Sequence, residues 1–92
     1  MLIIIKRKGH KEKFDERKVY ASVYAVCISM HYTKLKCERI ADEITKEVKK
    51  TIANKKIVKS EQIRKIVDLE LRKKGKELAF YYEHHLPNLK KL

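Results

Sequence analysis

Apolar positions along the chain follow two different periods. Leu2 to Ile5 is an unbroken aliphatic run, β-branched at Ile3, Ile4 and Ile5, which reads as a strand. Gly9 sits in the basic turn that follows, able to take a positive φ, and a weaker alternation runs on to Phe14. Residues 2–14 therefore predict a hairpin. From Val19 the period changes to three and four. Val19, Tyr20, Val23, Tyr24, Cys27 and Ile28 form a helical stripe that Ala21, Ala25 and Val26 widen, as expected for a helix central in its bundle. Asp15 is placed to cap it. Thr33 can cap a second helix, with Cys37, Ile40, Ala41, Ile44, Val48 and Ile52 on its apolar face. Asn54-Lys55-Lys56 breaks that pattern, and Ile57-Val58-Lys59 is long enough to add a third strand to the hairpin. Ser60 is expected to cap a third helix bearing Ile63, Ile66, Val67 and Leu71. Gly75 punctuates, and a last helix carries Leu78, Ala79, Tyr81, Tyr82 and His85 until Pro87 stops it.

The predicted order β-β-α-α-β-α-α describes one α+β domain over residues 1–87, a four-helix cluster capped by a small three-stranded sheet, with a tail at 88–92. Ninety-two residues hold no second domain. A 43% hydrophobic share excludes simple disorder. The run Leu2–Ile5 is too short for a membrane span or a signal-peptide core, so the expected location is the cytoplasm, away from any membrane. Cys27 and Cys37 make no disulfide framework and no zinc site; burial is the expected state of Cys27.

Charge changes the picture. With 24 Lys and Arg against 12 Asp and Glu, the net charge is +12. Lys6, Arg7, Lys8, Lys11, Lys13, Arg17 and Lys18 crowd one turn and one helix start, interleaved with Glu12, Asp15 and Glu16. Cations beside the free N–H groups of a helix N-terminus suit a polyphosphate. The same lysines could equally do no more than solvate a surface hairpin. Gly9 and Gly75 are isolated, so neither phosphate-loop nor dinucleotide pattern is present, and phosphates would be held by side chains and helix ends. Neighbouring His84 and His85 point about 100° apart on a helix and serve one metal ion poorly. Ser22, Ser29 and Ser60 have no histidine at a useful spacing. Catalysis by this chain is not expected.

Ile4-Ile5-Lys6-Arg7-Lys8-Gly9-His10-Lys11-Glu12-Lys13-Phe14-Asp15-Glu16-Arg17-Lys18-Val19 resembles the opening of the ATP-cone domain: an aliphatic strand, Lys-Arg-Asp-Gly, a Glu three residues beyond the Gly, Phe-Asp, then a Lys near the first helix start. Ile57-Val58-Lys59-Ser60-Glu61-Gln62-Ile63 is similar to the family's second signature, a strand entering a helix through Ser or Thr. Two positions depart: Lys8 stands where the family has Asp, and Ala79-Phe80-Tyr81-Tyr82 lacks its Arg.

The resemblance implies an allosteric sensor binding ATP or dATP with Mg²⁺, related to ribonucleotide reductase and to the bacterial repressor of reductase genes. It implies nucleotide contacts from Lys6, Arg7, the stretch Glu12, Lys13, Phe14, Asp15, Glu16, Arg17 and Lys18, and Ser60, with Lys18 foremost for phosphate. Neither a catalytic barrel nor a zinc ribbon is in the sequence, so the expectation is a stand-alone cone. Its partner would be a reductase, a transcription regulator or a second copy of itself. The alternative expectation, from the +12 charge, is a basic nucleic-acid-binding protein.

Overall fold

Each predicted element has a counterpart in the structure, a computed structural model that describes residues 2–5 and 9–84. Strand β1 is Ile3–Ile5 and β2 is Lys11–Lys13; helix α1 is Glu16–Ser29 and α2 is Lys34–Ile52; then come β3 (Ile57–Lys59), α3 (Ser60–Lys74) and α4 (Lys76–His84). Gly9 takes φ +78° in the hairpin turn, a conformation that costs glycine little. The expected stop at Pro87, the tail at 88–92 and His85 lie outside the described residues, as do Lys6, Arg7 and Lys8.

The sheet has the order β2-β1-β3. β1 pairs antiparallel with β2, Ile4 opposite Glu12, and parallel with β3, Ile4 opposite Val58. Alternation along the strands then separates two faces. Ile4 and Val58 turn inward and are buried, while Lys11, Lys13, Ile57 and Lys59 are exposed on the other side.

Helix boundaries follow local chemistry. The Asp15 carboxylate accepts from the Arg17 backbone N–H at 3.0 Å, and the Thr33 hydroxyl accepts from that of Lys36 at 3.2 Å, so both expected caps are present. At the end of α1, Tyr32 N–H donates to Cys27 C=O at 3.1 Å and His31 N–H to Ile28 C=O at 2.9 Å. This is a Schellman closure with His31, at φ 64°, in the position glycine usually fills.

Ser60 departs from expectation. It is the first residue of α3 rather than its cap. Lys59 holds the cap position, and its N–H is met by the Gln62 side chain at 2.9 Å. The Ser60 hydroxyl instead accepts from Arg64 at 3.4 Å.

α1 and α2 form an antiparallel hairpin, and α3 and α4 a second one joined at Gly75. The core lies between them. Val23, Val26, Cys27, Ile44, Val48, Val67, Leu71 and Leu78 are fully buried there, with Ile4 and Val58 closing it from the sheet. Truncating Ile44 or Leu71 to Ala would cost about 2–5 kcal/mol. The buried hydroxyls of Ser22 and Thr45 donate to the carbonyls of Val19 and Ala41. α1 is less enclosed than its composition suggests. Ala21 and Ile28 are exposed, because α2 and α4 cover only part of its circumference. Among the described residues, no helix is long and apolar enough to cross a membrane.

Candidate functional site beneath the sheet

The chain opens two helices from the sheet end of the molecule. α1 starts after β2 with only Phe14 and Asp15 between, and α3 follows β3 directly. The Lys49 ammonium, in the last turn of α2, lies 2.9 Å from the Glu16 carboxylate at the start of α1. The end of α2 is thereby drawn to the same place. By the strand register, α1 leaves the sheet beside Ile3 and α3 beside Ile5, so their positive dipole ends stand at opposite ends of the three-residue strands.

Lys18 is central to this end. Its ammonium is 3.2 Å from Oε1 of Glu12, on the inward row of β2, and the two side chains are 45% and 33% exposed. A partly shielded cation beside a helix start is thus held ready, with a carboxylate as one partner. Phe14 anchors the junction: its N–H donates to the Leu2 carbonyl at 3.1 Å, and its half-buried ring packs against the core.

The remaining predicted residues divide. Asp15 and Arg17 pair with each other through Nε–Oδ1 and Nη2–Oδ2 contacts of 3.1 Å. The Arg17 guanidinium beside Asp15, then the Arg17 backbone N–H, holds that carboxyl below its ordinary value. Arg17 itself is 89% exposed. Glu16 is engaged by Lys49. Lys13 is on the outward face of β2, across the strand from Glu12. Ser60 is half-buried at the start of α3, on the β3 side of the sheet, while Glu12 is on the β2 side with β1 between them. Lys6 and Arg7 lie outside the described residues.

Arg64 was missed from the sequence. It is half-buried, one turn along α3 from Ser60, and donates to its hydroxyl. The spacing i, i+4 was the available signal. Arg64 also acts on Tyr82, whose hydroxyl burial pushes up to about 12 while the guanidinium pulls it down.

The start of α1 offers the Lys18 ammonium, and the start of α3, across the sheet, offers the Ser60 hydroxyl and the Arg64 guanidinium. Such a set binds anions, and phosphate oxygens can replace carboxylate oxygens on Lys18. The model of the ATP cone domain matches residues 2–84. A search of the curated proteins returns no match. The chain belongs to the ATP-cone family, and it is by that membership a nucleotide-binding regulatory module, of a class that regulates rather than catalyses.

Proposed function

We propose that this cone takes adenine nucleotides, ATP or dATP with Mg²⁺, at the sheet end, and acts through a partner or by self-association. The observation that carries the reading is the Lys18–Glu12 pair at the entry to α1, within the match to the family. A nucleotide phosphate takes the place of the Glu12 carboxylate on Lys18, and the α1 start adds its free N–H groups. Ser60 and Arg64 offer a second anchor at the start of α3. The Lys18 ammonium suits a phosphate group: it is cationic, half-exposed and set at the start of α1, whose dipole favours negative charge. Charge supplies most of the attraction, so phosphate number sets affinity. The nucleotide leaves intact, because the proposed contacts bind and orient phosphate and include no group placed to activate water. A reductase or a transcription regulator is the partner class the family suggests.

Calorimetry with ATP, dATP, ADP and adenosine in the presence of Mg²⁺ tests this. Affinity is expected to fall with each phosphate removed and to be lost for adenosine. Equal affinity for adenosine and ATP overturns it.

A further inference from the structure

The outward face of the sheet combines charge with exposed apolar surface. By the strand register, one row across it reads Lys13, Ile3, Ile57 and the next reads Lys11, Ile5, Lys59. Ile57 is 58% exposed. Ile3 and Ile5 are half-buried, yet neither belongs to the core cluster or packs against it. The three lysines are exposed, and among the described residues none has a carboxylate within ion-pair distance. Lysine on edge strands protects against edge-to-edge pairing, which accounts for the lysines. It does not account for three isoleucines on the same face.

We propose that this face is a docking surface for an acidic amphipathic segment of a partner protein, its apolar stripe on Ile3, Ile5 and Ile57 and its carboxylates on Lys11, Lys13 and Lys59. Charge complementarity selects the occupant. A second copy docked face to face would set these lysines against their own counterparts. Nucleic acid would satisfy the lysines but leave the isoleucines unused, and the described residues of the face include no aromatic ring or arginine to stack a base. A helix laid across a sheet is the ordinary way of covering such a face. Glu12 belongs to the same strand as Lys11 and Lys13 but faces inward, so the docking surface and the Lys18 pair are opposite sides of one three-residue strand.

The test uses a synthetic amphipathic helix of about 18 residues, five turns, with a leucine stripe flanked by glutamates. Two counterparts carry lysine for every glutamate, or serine for every leucine. Binding to the ¹⁵N-labelled protein is followed by amide shifts without nucleotide, so the outcome is independent of the nucleotide reading. The glutamate–leucine peptide is expected to shift amides of residues 3–5, 11–13 and 57–59, and its two counterparts to bind far more weakly. Ile57→Ser is expected to weaken binding about tenfold, as loss of an apolar anchor does. Lys13→Ser gives a second readout, flattening the salt dependence while the fold is checked by thermal unfolding. Equal binding of the serine peptide, shifts confined to the helices, or an oligonucleotide duplex occupying this face more tightly than the peptide overturns the proposal.

Discussion

The Lys18 ammonium lies 3.2 Å from the Glu12 carboxylate and ties the first turn of α1 back to β2. Both side chains are accessible enough that the pair adds little to stability, within about 1 kcal/mol. Its effect is to position a cation that a helix start would otherwise repel.

Lys18→Ala is accordingly expected to weaken ATP binding by about 1.5–3 kcal/mol, the range for a hydrogen bond to a charged group. The unfolding midpoint should barely move. Calorimetry and thermal unfolding on the same preparation separate the two effects, and unchanged ATP affinity would remove Lys18 from the site.

His31→Gly should stabilise the fold. The histidine is exposed and holds φ 64° only to close α1, a conformation costing a non-glycine residue about 1 kcal/mol. For a domain of this size that gain raises the midpoint by roughly 4–8 °C. A lower midpoint would mean that the side chain makes a compensating contact.

Asp68 gives a pH dependence of definite sign. Burial, and then the neighbouring Glu83 carboxyl, raise its pKa above 3.8, against the pull of Arg72, whose Nη2 lies 3.1 Å from both carboxylates. Its Oδ1 is buried without a hydrogen-bond partner. The folded state therefore holds the proton more tightly than the unfolded one. The stability this adds is complete below the ordinary carboxylate value and lost as pH rises through the folded one. Asp68→Asn, which keeps the shape without the charge, is expected to gain stability relative to the parent as pH rises across that window. Urea unfolding of both proteins over one pH series reads the difference, and parallel curves would refute it.

Both thiols should be inert in the folded protein. Burial, and then Cys37 nearby, push the Cys27 thiol up to about 12; burial also raises Cys37, which donates to the Tyr32 carbonyl at 3.6 Å. Iodoacetamide at mildly alkaline pH should modify neither until urea unfolds the chain. Rapid labelling under native conditions would contradict the packing between α1 and α2.

Duplex DNA affinity should collapse between roughly 50 and 200 mM salt, as expected when phosphates are met only by dispersed lysines. ATP affinity should decline less over the same series. Sequence-dependent DNA binding that survives the higher salt, with no ATP binding, would favour the nucleic-acid alternative.

Local rules carried far in this sequence. Asp15 and Thr33 cap where their side-chain chemistry says, and even the three-residue strand Ile57–Lys59 was legible between a break and a helix. What failed was non-local or off by one residue. Ser60 looked like a cap by composition, but Gln62 satisfies the preceding N–H and so moves the cap to Lys59. Glu12 and Lys13 looked like equal members of one nucleotide-contacting stretch, whereas pairing with β1 puts them on opposite faces. The Glu16–Lys49 pair spans most of two helices, and no short-range pattern announces it.

The central place of β1 has a consequence for the order of assembly. Its antiparallel neighbour is a few residues away, but its parallel neighbour arrives only after α1 and α2 have been traversed. Closing that long loop is entropically costly until the helices have packed and shortened it. The β1–β3 pairing is thus expected to form after the helices have packed, and its amides to exchange with solvent deuterium sooner than those of the helical core. Any ligand that clamps the sheet to a helix start would slow that exchange, coupling occupancy to the closure of the parallel strand pair.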